Sequence, residues 1–134
     1  MNALEEGTGL QLDFAKLQKV GATGQEVVPV VLQHADDGRV LYVAYANEQA
    51  LRETLRTRRA VLWSTSRNEL WRKGESSGDV LELVDVRTNC EQNSLLYRVR
   101  PRGGVCHTVD SHGETRATCY YRRLSDDGAS LELD

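Results

Sequence analysis

The chain has 134 residues, which is the length of one domain and enough to bury a core without disulfides. Its formal net charge of −3 argues against a general nucleic-acid binder. No apolar run approaches membrane-spanning length, and residues 1–9 lack the basic and apolar parts of a signal peptide. We therefore expect a cytoplasmic protein without membrane contact.

The first half of the chain alternates between helical and strand patterns. Spaced apolar residues predict an amphipathic helix over residues 10–20. Two β-branched runs, 27–33 and 40–46, flank an Asp-Asp-Gly turn signal and predict a β-hairpin. Asn47 is a good helix cap and arginines follow about ten residues later, so a second helix is expected between them.

The second half reads as a series of short strands. Apolar runs predict strands at 61–64, 80–86, 95–99 and 117–123, and the acidic tail 125–134 is expected to be loosely held. With six or seven strands and one clear helix, the pattern predicts a mainly β, α+β single domain whose core spans about 27–123.

The segment from 64 to 78 is unusually polar and basic for a loop. Its hydroxyls, cations and glycines are the groups that bind phosphate, and an indole at its edge could stack on a base. A solvated loop with two tryptophans as core anchors explains the same composition, and the residues alone do not decide between the two. The residues concerned are Trp63, Ser64, Arg67, Trp71, Arg72, Lys73, Glu75, Ser76 and Ser77.

All three cysteines lie between residues 89 and 119, and no two of them form a CxxC pair. Cys90, Cys106 and Cys119 would therefore have to converge by folding. Three ligands plus an open position suit a catalytic zinc ion, whereas a structural zinc site needs four ligands. Three unrelated buried thiols are the alternative that spacing alone leaves open.

Several motifs, taken in order, resemble one known family. The chain is similar to the phosphoribosyl-AMP cyclohydrolases over roughly residues 27–121. The motifs that carry the resemblance are Pro29-Val-Val-Leu-Gln33, Ala44-Tyr-Ala-Asn-Glu48, Trp63-Ser-Thr-Ser-Arg67, Glu69-Leu-Trp-Arg-Lys-Gly-Glu75, Ser77-Gly78 and Cys106-His-Thr108.

The resemblance implies a small antiparallel β pseudo-barrel, capped by a helix, that works as an intertwined homodimer. It implies a nucleotide substrate, 1-(5-phosphoribosyl)-AMP, whose N1–C6 bond is opened by water in the third step of histidine biosynthesis. It places Zn²⁺ on Cys90, Cys106 and Cys119, drawn from both subunits. Histidine titrates near neutrality, so His107 is the candidate for proton transfer or for orienting the water.

Two segments depart from the family pattern. The family holds magnesium with three aspartates where this chain has Asn89, Glu91 and Asn93, so we expect a weak or absent Mg²⁺ site. The loop from 109 to 115 is longer than usual and adds Asp110, His112 and Glu114 near the zinc, where one interpretation is a replacement ligand set. We favour a longer loop without that role, because extra loop length costs little closure entropy. His112 and His34 are expected to be surface histidines. Two alternatives remain: a zinc-dependent paralogue acting on another N-heterocycle, and a catalytically silent nucleotide-binding member.

Overall fold

The computed structural model describes residues 2–133. The helices are α1 (Ala3–Glu6), α2 (Lys16–Ala22) and α3 (Glu48–Thr57). The strands are β1 (Val28–His34), β2 (Val40–Ala46), β3 (Val61–Ser64), β4 (Glu69–Arg72), β5 (Leu81–Thr88), β6 (Leu95–Pro101), β7 (Arg122–Leu124) and β8 (Leu131–Leu133). The expectation of a mainly β chain with few helices is confirmed.

A four-stranded sheet in the order β2-β1-β6-β5 forms the centre of the molecule. The β1–β2 hairpin is antiparallel, as the Asp-Asp-Gly turn signal predicts, and β5 pairs with β6 in the same sense. However, β1 and β6 run parallel, with Val30 opposite Leu95 and Leu32 opposite Tyr97. The expected antiparallel arrangement is therefore wrong for this pair of strands, because the chain between β1 and β6 returns so that β6 runs beside β1 in the same direction.

Helix α3 packs mainly against β3 and makes a smaller contact with β2 of this sheet. Asn47 caps the helix as predicted, with its side chain accepting a hydrogen bond from the Ala50 N–H at 2.9 Å. Arg58 ends it in the left-handed conformation. Ala50 and Thr54 are fully buried. The Thr54 hydroxyl lies 2.9 Å from both the Ala50 and the Val61 carbonyl oxygens and accepts from the Val61 N–H, which ties α3 to β3.

Four local expectations differ from the structure. The strand expected at 117–123 forms only at its end, where β7 covers Arg122–Leu124. The helix expected over 10–20 covers only Lys16–Ala22, and Phe14 before it is 93% exposed, so the apolar residues at its start do not pack as a helix face. Residues 69–72, expected within a loop, form β4 and pair with β3. The tail expected to be loose contains β8, which pairs with β7.

The described residues form an open mixed sheet and two small hairpins, and they do not close into a barrel. No helix among residues 2–133 is long and apolar enough to cross a membrane. Residues 2–9, called the N-terminal strap below, lie against the segment that follows β6, where Tyr121 and Arg122 donate hydrogen bonds to strap carbonyls.

Candidate active site

An open cleft of about 580 Å³ lies between the β4 region and the segment that follows β6. It collects many of the residues that the sequence singles out. Its walls include Arg67, Trp71, Arg72, Lys73, Glu75, Ser76, Ser77, Cys106, His107 and Cys119. A single concave surface therefore holds two thiols, an imidazole and a basic, hydroxyl-bearing loop.

Two of the three cysteines meet in this cleft. Backbone hydrogen bonds fold the segment back on itself, since the Cys106 N–H donates to the Arg116 carbonyl at 2.9 Å and the Cys119 N–H donates to Leu41 of β2 at 2.8 Å. Cys106 is buried, with its sulphur 3.1 Å from the Thr108 hydroxyl. Burial, and then the neighbouring Cys106 thiol, raise the pKa of the Cys119 thiol to about 12, although Cys119 as a whole residue is exposed.

The third cysteine lies elsewhere. Cys90 is exposed in the turn between β5 and β6 and does not line the cleft. Among residues 2–133, no group of three or more metal-binding side chains converges within the chain. One chain therefore brings two thiols together and presents the third on a separate surface.

His107 follows Cys106 directly and reaches into the cleft from the same segment. Its side chain is 77% exposed. The Nε2 atom lies 2.8 Å from the Glu5 carboxylate of the N-terminal strap. Since a carboxylate only accepts hydrogen bonds, Nε2 is the donor and Nδ1 is left as the acceptor nitrogen of the neutral ring.

The loop after β4 supplies the cations of the cleft. Lys73 donates to the Asp79 carbonyl at 3.1 Å, and partial burial lowers the pKa of its ammonium group. Gly74 adopts a φ of +80°, and a side chain there would place its Cβ 2.4 Å from backbone atoms of Asp79 and Val80. The loop can close this tightly only with glycine at that position.

The two tryptophans separate. Trp71 lines the cleft, 41% exposed, with its ring centroid 6.0 Å from that of Tyr42. Trp63 packs against the core, and its indole N–H donates to Gln25 at 2.7 Å in a different cleft. Ser64 likewise does not line the cleft that holds the two thiols. Its hydroxyl oxygen accepts a hydrogen bond from the Arg67 N–H at 3.2 Å. The structure thus groups Trp71, but not Trp63 or Ser64, with the thiols.

The turn that carries Cys90 is closed by its own amides. The Asn89 side-chain oxygen accepts from the N–H groups of Asn93 and Ser94 at 3.0 and 2.9 Å. The Asn89 amide donates to the Asn93 oxygen at 2.6 Å, and the Asn93 amide donates to Glu91 at 3.2 Å. Magnesium prefers carboxylate oxygens, and this turn offers one carboxylate beside two amide oxygens that already accept hydrogen bonds. The turn does not fit a magnesium ion.

The long loop from 109 to 115 is a small hairpin in which Val109 pairs with Thr115. The Asp110 carboxylate accepts from the N–H groups of His112 and Glu114, and these bonds lower the pKa of Asp110. His112 is exposed at the tip. The loop is therefore held by its own hydrogen bonds.

Sequence reasoning missed three residues around the cleft. Tyr42 and Asp79 line it, and Glu5 of the N-terminal strap bonds to His107. The Gly78-Asp79 turn could have pointed to Asp79. No local sequence signal could have identified Glu5, because its partner His107 lies 102 residues away along the chain.

The fold and the cleft together define a class: a small α+β protein in which paired thiols and an imidazole face a cationic loop, the donor set of a hydrolytic site for a phosphorylated substrate. A family model, described as phosphoribosyl-AMP cyclohydrolase, matches residues 42–121. The chain belongs to the phosphoribosyl-AMP cyclohydrolase family.

Individual relatives agree with this assignment. A histidine biosynthesis bifunctional protein, HisIE, of Thermus thermophilus is 52% identical over 98 residues, which are 73% of this chain and 43% of that protein. A phosphoribosyl-AMP cyclohydrolase of Alkalilimnicola ehrlichii is 47% identical over 114 residues, covering 82% of this chain and 76% of the relative. One of Archaeoglobus fulgidus is 44% identical over 101 residues, with 75% and 88% covered.

Proposed function

We propose that this protein is a phosphoribosyl-AMP cyclohydrolase of histidine biosynthesis. The observation that carries the proposal is that the matched span, residues 42–121, contains the thiol pair, the histidine and the basic loop of one cleft. In the reaction, the oxygen of water bonds to C6 of the adenine ring and the N1–C6 bond breaks. Of the two protons of the water, N1 takes up one, and the exocyclic nitrogen on C6 takes up the other as the carboxamide forms.

The thiol pair supports a zinc ion in the cleft. Thiolates are the soft ligands that zinc prefers, and Cys106 and Cys119 are already neighbours. The third ligand would be Cys90 of a second copy, which makes the active form a homodimer. Cys106, Cys119 and the second copy's Cys90 would hold the ion, and zinc bound there would supply hydroxide near neutral pH, since zinc sites can lower the pKa of water to about 7.

The remaining roles fall to side chains of the cleft. His107 would hold the attacking water through its acceptor nitrogen and pass the proton toward N1 as the ring opens. Lys73, Arg67 and Arg72 would bind phosphate oxygens by charge-assisted hydrogen bonds. Trp71 would stack on the adenine ring, since part of its face is open to the cleft. Ser76, Ser77 and Glu75, which line the same cleft, would bind ribose hydroxyls.

The 89–93 turn does not fit a magnesium ion. We therefore expect the cyclohydrolase to work without a second metal at that position. No part of the mechanism above passes through magnesium. The single carboxylate there, Glu91, already accepts a hydrogen bond within the turn.

The test is turnover of phosphoribosyl-AMP by the purified, zinc-loaded protein, followed by ultraviolet absorbance and by zinc content. We expect ring opening by the unmodified protein, and loss of both zinc and rate in the Cys106→Ser variant. Bound zinc without ring opening would refute the substrate assignment and would favour a paralogue acting on another purine-like nucleotide. Full zinc and full rate in Cys106→Ser would refute the thiol assignment.

A further inference from the structure

The N-terminal strap contacts the histidine of the candidate site through Glu5. Glu5 of the strap places its Oε1 atom 2.8 Å from Nε2 of His107. Glu5 lies outside the span that the family model matches, residues 42–121. Glu5 is therefore neither in the span that the family model matches nor among the residues that line the cleft.

The strap is anchored independently of the Glu5 carboxylate. Tyr121 donates its hydroxyl hydrogen to the Glu5 backbone carbonyl at 2.6 Å. Arg116, which is mostly buried, donates to the Glu6 carboxylate at 2.7 Å and stacks over the Tyr121 ring at 4.0 Å. The backbone of Glu5 is thus held by its neighbours, and its side chain is left to meet the imidazole.

An exposed imidazole needs such a partner if it is to act in one orientation. The His107 side chain is 77% exposed and, apart from Glu5, could adopt several rotamers and either neutral tautomer. A carboxylate that accepts the Nε2 hydrogen fixes both the ring direction and the tautomer, so that Nδ1 carries the free lone pair. The Glu5 side chain is the less exposed member of the pair, at 33%, which suits a fixed partner.

We propose that Glu5 is a positioning residue that orients His107 for proton transfer in the ring-opening reaction. The inference rests on the proposed function, since it assigns His107 its reacting nitrogen. Glu5 acts through the histidine and does not need to touch the substrate.

Steady-state kinetics of three single variants test the role. We expect Glu5→Ala to lower kcat about 10- to 100-fold, the usual effect of removing a group that orients a reacting one, with KM within about two-fold of the unmodified protein. Glu5→Gln should recover part of kcat, because its amide oxygen still accepts from Nε2. Glu132→Ala is the matched control, since it removes an equal charge from exposed strand β8 and should leave kcat within about two-fold.

A direct readout of the ring separates positioning from folding. Long-range ¹H–¹⁵N correlation spectra of the histidines, with His107→Gln used for assignment, should show a single Nε2–H tautomer at His107 in the unmodified protein. In Glu5→Ala the same ring should show a tautomer mixture, at an unchanged melting temperature.

Three results would overturn the proposal. The first is a Glu5→Ala variant with unchanged kcat. The second is an equal loss of kcat in Glu5→Ala and Glu5→Gln together with a lowered melting temperature. The third is a His107 tautomer that is the same in Glu5→Ala and in the unmodified protein. If the unmodified protein fails to open phosphoribosyl-AMP, the proposed function fails, while the spectra still decide whether Glu5 sets the tautomer.

Discussion

The separation of Cys90 from the other two thiols predicts that two inactive variants restore each other. Within one chain, Cys106 and Cys119 meet in the cleft, whereas Cys90 lies in an exposed turn at another part of the surface. If the zinc site is completed across a two-fold axis, Cys90→Ser and Cys106→Ser each remove one ligand from both sites of a homodimer. Either variant alone should therefore lose activity and zinc.

The size of the recovery follows from the symmetry. A dimer with one Cys90→Ser chain and one Cys106→Ser chain contains one intact site, built from Cys90 of one copy and the thiol pair of the other, and one site with two defects. Random association of equal amounts makes about half of the dimers mixed, and half of their sites are intact. The mixture should then show about a quarter of the activity and zinc of the unmodified protein.

Co-expression with two different affinity tags gives the sharper assay, because purified mixed dimers should show about half of the activity and zinc. The matched control pairs Cys106→Ser with Cys119→Ser. Both defects then lie in the same half-site, so every site in the mixed dimer stays broken and no recovery is expected. Recovery in the control, or none in the Cys90 and Cys106 pair, would refute a site shared between copies.

Three further outcomes are expected. Lys73→Ala should raise KM for phosphoribosyl-AMP about ten-fold or more by removing a charge-assisted bond to phosphate, and an unchanged KM would refute its role. Thr54→Val should lower the free energy of unfolding in urea by about 1–3 kcal/mol, because the Val61 N–H and carbonyl lose a buried partner; an unchanged midpoint with an unchanged slope would contradict this. Adding Mg²⁺ to magnesium-free, zinc-loaded protein should leave the rate unchanged, and a several-fold rise would show that a magnesium site exists after all.

Local patterns predicted the parts of the fold that local interactions decide. The β1–β2 hairpin follows from two β-branched runs and a turn, and the start of α3 follows from the capping side chain of Asn47. The strand at 61–64 was also predicted at its observed bounds. In each case the deciding contacts lie within a few residues of the sequence signal.

Non-local contacts decided what the sequence pattern did not reveal. Nothing in the apolar runs of β1 and β6 says that they pair in parallel, because each run fits a strand in either direction. Strand β4 was hidden because it has only four residues inside a longer polar segment and pairs only with β3. The placement of Glu5 against His107 depends on the whole chain being folded, so no motif could encode it.

The parallel pairing of β1 with β6 also constrains how the molecule is made. During synthesis on the ribosome, β2 is available to β1 at once, but the opposite edge of β1 stays bare until Leu95 and the residues after it have emerged from the exit tunnel. An apolar strand with an unpaired edge can form backbone hydrogen bonds with another chain and so promote aggregation. The edge of β1 is therefore unpaired while the 60 residues between β1 and β6 follow it out of the ribosome, and the central sheet is completed only when β6 arrives.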